Sequence, residues 1–376
     1  MMTDTTGGGF LERDGASGGS GLASALCAGT MMGQLPASDA LSILVQKHLP
    51  PPSRPVRDLS GSWHATLDTS DVDADQVLEA ASTNSWRKIA VLARSTLERA
   101  GMELDEVVEW WTVRLYALAR LRLYSMLRTE LASVPEVLEG QEMPFGLLVL
   151  RATEAKFRGD TRSAVEQYTV LIRMCRERGG EVWRSRAIRV GMMLAFALAE
   201  ARDYNAAIEL LDPLVERLLS DEEGEGVQLV IVAARVWIQA GDLARALELI
   251  ERAEQILPSE SAVHAHIKQA KMVIATINGD FADGDGEAEG VVGALNRAVV
   301  QFYRAQLDAA IATLDAQLEA QPALVASADA VVFNTATLYE LAAGDEAAVV
   351  GRKRQLLATI ARWAAEPGPS SSAFKL

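Results

Sequence analysis

Residues 331–345 read VVFNTATLYELAAGD, and the fold turns on how they are read. The stretch has the pattern of one helix running into the start of a second. Val331, Val332, Phe333, Leu338 and Tyr339 are apolar, and a turn follows at Gly344-Asp345. Asn334, Thr335 and Thr337 interrupt the pattern. They are poor helix formers, because short polar or β-branched side chains lose freedom there or compete for nearby backbone groups. Three settings could keep such residues inside an apolar helix: a catalytic site, a peptide-binding groove, or the packing register of a larger array.

Working outward, the turn that ends this stretch recurs. Gly159-Asp160, Arg202-Asp203, Gly241-Asp242, Gly279-Asp280, Ala305-Gln306 and Gly344-Asp345 each follow an apolar helical segment, and their second residues are 43, 39, 38, 26 and 39 apart. A period in the thirties is the signature of stacked helical hairpins. Glycine closes the first helix because it tolerates the left-handed conformation, and aspartate can cap the next. A tetratricopeptide unit also wants a small residue early in its second helix and a proline twelve residues later. Ala246 with Pro258 and Ala310 with Pro322 meet that spacing, and Ala164 and Ala207 hold the same place in earlier units. Ala152, Ala195, Ala234 and Ala298 supply small residues on the first helices. The expected fold is all-α: a tetratricopeptide-like α-solenoid of antiparallel helix pairs over residues 84–365. The 26-residue interval leaves room for one helix where two belong, so the hairpin at 281–291 reads as eroded into an acidic, glycine-rich loop. SDEEGEG (220–226) reads as a second exposed insertion.

Residues 1–83 read as a mostly disordered, low-complexity region, rich in Gly, Ser and Thr at its start. LSILVQKHL (41–49) is expected to form one short helix within it, ended by PPPSRP (50–55). Residues 366–376 form a short tail. The chain has 376 residues, 49% of them hydrophobic, and a net charge of −15. That charge disfavours nucleic acid and anionic membranes as partners. Cys27 and Cys175 are too few and too far apart for a disulfide framework, which fits a reducing, cytoplasmic setting. The apolar run VGMMLAFALA (190–199) is half the length of a membrane span.

No catalytic constellation emerges. GASGGSG (15–21) has the glycines of a phosphate loop but no lysine after them. ADGDGEAEG (282–290), read as a calcium loop from Asp283, puts Ala288 where glycine is required and Ala294 where a glutamate is required. His264 and His266 are two apart and diverge on a helix. We therefore expect no enzyme, no cofactor and no metal. Four residues are candidates for binding a partner. Asn296 and Asn334 lie on successive first helices, 38 residues apart. Their amides could hold an extended peptide or, more economically, bond to neighbouring helices. Trp183 and Arg184 are candidate anchors from VWRSR, unless Trp183 is core.

VVFNTATLYEL also resembles the C-terminal signature of the tetratricopeptide-containing subunit twelve of the trafficking protein particle (TRAPP) complex. VEWWTVRLYALARL (108–121), MPF (143–145), VWRSRAIRV (182–190) and the terminal SAFKL (372–376) resemble the same family in matching order. The eroded hairpin and the short N-terminal region depart from it. The resemblance implies a non-catalytic scaffold of a TRAPP III-type assembly, whose small-subunit core catalyses nucleotide exchange on a Rab GTPase. Its partners would be the large peripheral subunits, with the Rab linked indirectly. Its place would be the cytoplasm and, through the complex, early Golgi and ER–Golgi compartments in secretory traffic and autophagy. The alternative is a generic tetratricopeptide adaptor or co-chaperone that binds peptide segments.

Overall fold

A computed structural model describes residues 32–55, 74–82, 84–98, 102–138, 142–220, 227–256, 263–281, 290–342 and 344–376. The expected disorder of 1–31 lies outside these residues, as do most of the two acidic insertions. Among the described residues the secondary structure is helical throughout, with no strand. Helix α1 (Ala40–His48) comes first. Then come pairs joined by tight turns: α2 (Ala74–Ser82) and α3 (Trp86–Leu97), α4 (Leu104–Arg120) and α5 (Tyr124–Val137), α6 (Phe145–Phe157) and α7 (Thr161–Arg178). Next are α8 (Gly180–Glu200) and α9 (Tyr204–Ser220), then α10 (Val227–Ala240) and α11 (Leu243–Ile256). Helix α12 (Val263–Ile277) has no second helix among the described residues before α13 (Gly290–Tyr303), which pairs with α14 (Leu307–Ala320). A short α15 (Pro322–Ala326) precedes the last pair, α16 (Asp329–Ala342) and α17 (Glu346–Trp363).

The turns share one hydrogen-bond pattern. At Gly159-Asp160 the Asp160 amide donates to the Ala155 carbonyl at 3.0 Å, and the Gly159 amide donates to Lys156 at 2.9 Å. These are the two bonds of a Schellman ending, with a left-handed residue at its centre. The same pair of bonds closes the turns at Arg202-Asp203, Gly241-Asp242, Gly279-Asp280 and Ala305-Gln306. It also closes two turns that the sequence reading passed over, Asn84-Ser85 and Arg122-Leu123. With these included, the array begins one helix before residue 84. The aspartates cap as expected: Asp160, Asp203 and Asp242 accept from the amides of Ser163, Ala206 and Arg245 at 3.1, 3.2 and 2.9 Å.

The described residues divide into two compact units. Ala155–Gln317 forms one; Met1–Glu154 with Leu318–Leu376 forms the other. In the first, α8, α10 and α12 touch in order and make one layer, while α9 and α11 make the second. Ala195, Ala207, Ala234 and Ala246 lie at the contacts and are fully buried beside Leu249, Ile250 and Trp237. Their missing bulk is what lets the helix backbones approach. Ala152, Ala164, Ala298 and Ala310 are buried too.

The second unit includes residues 32–55, among which the short helix expected at 41–49 forms as α1. Met32 packs with Trp111, Leu115 and Leu127, and the apolar face of α1 (Leu41, Leu44, Val45) is buried. Helix α1 lies against α17, Arg87 grips the Glu366 carboxylate, and Arg122 reaches Asp329 at 3.6 Å. The two ends of the described chain thus share one core, instead of closing off opposite ends of a stack. Within the short tail, residues 371–374 form a 3-10 turn with Ala373 and Phe374 buried.

Candidate partner-binding surfaces

The polar residues of the opening stretch have local and tertiary partners. Thr335 is buried on α16 and its hydroxyl donates to the Val331 carbonyl at 2.8 Å. Thr337 does the same to Phe333 at 2.8 Å. Both satisfy themselves within the helix, so neither needs a ligand. The C-terminal residues then lie along this helix. The Lys375 ammonium sits 5.2 Å from the Phe333 ring centroid, donates to the Thr337 hydroxyl at 3.3 Å, and pairs with Glu340. Lys353 of α17 is buried and bonds both Glu340, at 2.5 Å, and the Lys375 carbonyl, at 2.8 Å. These two ammonium groups hold the Glu340 carboxyl below its usual range. Phe333 is exposed beside Lys375, whereas Tyr339 is buried. Asn334, the candidate on this helix, is half-buried.

Trp183 and Arg184 stand near the start of α8, just past a sharp junction from α7. Gly179 and Gly180 both take left-handed φ values, 63° and 83°, which glycine adopts without strain. Trp183 is half-buried, neither core nor fully exposed. The guanidinium carbons of Arg178 and Arg186 lie over its ring, 4.6 and 4.5 Å from the centroid. That is the geometry of cation–π attraction. Arg184 is exposed. Cys175 lies buried nearby, and burial pushes its thiol pKa up, so it stays protonated and is a poor nucleophile.

Asn296 lines a groove of about 540 Å³ between α12 and α13. Met272, Thr276 and Ile277 form one wall, Val299 and Tyr303 the other. At its end Phe281 stacks on Tyr303 with centroids 5.7 Å apart and planes 8° from parallel, while Arg304 holds the Phe281 carbonyl. Ile277 and Tyr303 are 55% and 61% exposed, high for large apolar side chains. Among the described residues no second helix follows α12, and the interval read as eroded, 282–289, lies outside them. Asn296 belongs to one unit and Asn334 to the other, and each is seen only in its own surroundings.

Sequence reasoning missed a buried polar cluster inside VEWWTVRLYALARL. Arg114 of α4 forms a two-pronged bond with Glu130 of α5, both at 2.7 Å, with the side chains 1% and 2% exposed. Arg114 also donates to the carbonyls of Ala90 at 2.9 Å and Gly33 at 2.8 Å, and the Gly33 amide donates back to Glu130 at 3.1 Å. Each end of the pair is thus satisfied, which a buried charge requires. The cluster joins α3, α4, α5 and residue 33. Among the described residues no group of three or more His, Cys, Asp or Glu could hold a metal, and no helix is long and apolar enough to cross a membrane. Neither the protein-family models nor the curated proteins contain a match to this chain.

Proposed function

We propose that this protein is a non-catalytic scaffold that binds other proteins through exposed faces of its helix pairs. The observation that carries the reading is the groove beside Asn296. A repeat array normally covers each first helix with its own second helix; among the described residues none follows α12, and Ile277 of α12 and Tyr303 of α13 are exposed beside the groove. A surface of that kind is suited to protein contact, since aromatic side chains supply most of the binding energy at such interfaces. The ordered motifs at 108–121, 143–145, 182–190, 331–341 and 372–376 support placing the scaffold in a TRAPP III-type assembly. In that reading it holds large peripheral subunits, contributes only indirectly to Rab nucleotide exchange, and works at early Golgi and ER–Golgi compartments.

Affinity purification followed by mass spectrometry tests this. The tagged chain should recover TRAPP subunits, and the purified chain alone should not accelerate nucleotide release from a Rab GTPase. Recovery of chaperones without any TRAPP subunit would favour the generic adaptor. Exchange activity by the isolated chain would overturn the scaffold reading.

A further inference from the structure

We infer that the groove between α12 and α13 takes an amphipathic helix of a partner protein, apolar on its inner face and basic on its outer one. The inference rests on the scaffold reading and gives the partner a shape and a charge. Val273 and Ile277 are four residues apart on α12, and Val299 and Tyr303 are four apart on α13, so each pair stands on one face of its helix. Val292, 46% exposed, lies seven residues before Val299 and continues the second face. The stripe from Val292 to Tyr303 is roughly 16 Å long, about three turns of helix. Among the described residues, no charged side chain lines the groove. Its occupant therefore presents an apolar face.

The chain does not supply this occupant from the place where a repeat array would. ADGDGEAE (282–289), between Phe281 and α13, has eight residues, whereas α11 and α14 have 14 each. Its only apolar side chains are two alanines. It is too short for a second helix of that size and too polar to cover Ile277 and Tyr303. An extended peptide also fits poorly. It brings an unpaired N–H and C=O at each residue, while the groove walls are helices that bond their own backbones. Of the polar side chains there, Thr276 already donates to the Met272 carbonyl at 2.8 Å, which leaves Asn296 and the Tyr303 hydroxyl. A helix arrives with its backbone bonds made and asks only for apolar contact. A second copy of the chain is disfavoured by charge, since each copy carries −15. The same charge attracts a helix with a basic outer face.

The experiment uses the full chain and a fluorescein-labelled peptide of leucine, alanine and lysine, roughly 18 residues or about 27 Å of helix, with its leucines at helical spacing. Fluorescence anisotropy should show saturable binding, and hydrogen exchange should slow at 272–281 and 296–303 when the peptide is added. A peptide of the same composition with leucine at every second position keeps the charge but loses the helical stripe, and should bind about tenfold more weakly. Ile277→Gln with Tyr303→Gln changes no charge and should weaken binding by about tenfold or more. Val170→Gln, at a valine of α7 that is 60% exposed, should leave binding unchanged. Unchanged melting temperatures would show that the variants remain folded, and the exchange pattern of the unaltered chain decides the matter if the double variant unfolds. Absence of binding, equal binding of the two peptides, slowed exchange only outside the groove, or full binding by the folded double variant overturns the inference. So does exchange that slows at 272–281 and 296–303 as the chain alone is concentrated, which would make the groove a contact between copies. If the double variant loses the peptide yet still recovers TRAPP subunits from extract, the groove takes helices and the assembly is held through other faces. If the unaltered chain binds the peptide at the groove and recovers no TRAPP subunit, the assembly is wrong and the groove stands.

Discussion

At the scale of the residue, backbone sterics and buried charge make the sharpest demands. Ala305 and Arg202 hold left-handed φ values of 60° and 63° at turns where Gly241 holds 87°. A residue with a Cβ is strained there by about 1–2 kcal/mol, which glycine escapes. Ala305→Gly should therefore stabilise by about 1 kcal/mol in urea titration, and Gly241→Ala should destabilise by a similar amount. Nothing lies within 4 Å of a Cβ built on Gly241, so that loss would come from the backbone alone. The Arg114–Glu130 pair behaves differently. Arg114→Met should cost about 3–5 kcal/mol because Glu130 is left charged and buried without its partner. Arg114→Met combined with Glu130→Leu should cost much less than the sum of the two single changes. Strict additivity in that cycle would show that the two side chains do not act as a pair.

At the scale of the element, two features set the expectations. The first is the alanine contact between helices. Ala246 is fully buried where α10 meets α11, so Ala246→Trp should destabilise by about 1–3 kcal/mol or more. The second is the C-terminal segment along α16. Phe374 is fully buried, and Phe374→Ala should cost about 3–5 kcal/mol. Acid should loosen this region from two sides. The carboxyl of Glu340 is held below its ordinary pKa by Lys353 and Lys375, so its contribution is present above the unfolded value and fades as pH falls through the folded one. His48 on α1 has its pKa lowered by burial and then by Lys47 and Arg354. The folded state favours its neutral form, so its contribution is lost as pH drops below about 6.5. Stability measured between neutral and acid pH should fall in two stages, His48→Gln flattening the upper and Glu340→Gln the lower. An unchanged pH profile in both variants would refute these assignments.

The elements also mark what could be read beforehand. Turns built from Gly and Asp advertise themselves by residue type, and so do the alanines four residues beyond them. Asn84-Ser85 and Arg122-Leu123 make the same bonds from other residues, followed by Ile89 and Leu127 at the place of the alanine, so nothing in their composition shows the repeat. Trp183 and Arg184 were legible as a basic aromatic cluster, but the guanidiniums over the ring come from Arg178 and Arg186. Asn296 was legible as a groove residue, while the aromatic stack of Phe281 on Tyr303 was not. The Arg114–Glu130 pair spans two helices sixteen residues apart, and the contact of Lys375 with Thr337 spans 38. Periodicity reports which face of a helix is apolar, not which distant segment will cover it.

At the scale of the whole molecule, repeats in a simple stack depend only on their neighbours, so loss of one end leaves the other intact. Ala155–Gln317 has its own core and should behave in this way. A chain truncated after Gln317 should keep hydrogen-exchange protection in α8 to α11 and lose it in α1, which would be left without α17. Retained protection in α1 would show that the first residues of the unit hold together unaided.

That shared core also carries a consequence in time. Helix α5 ends at Val137, and the last helix that completes its unit ends at Trp363. A ribosome adding about 5–20 residues per second needs roughly 11–45 seconds to cover that interval. Throughout it, the apolar face of α1, with Leu41, Leu44 and Val45, has no α17 to cover it, while the intervening repeats can already fold. The nascent chain should therefore depend on chaperones that shield apolar surface. Slowing translation late in the message should lengthen that dependence.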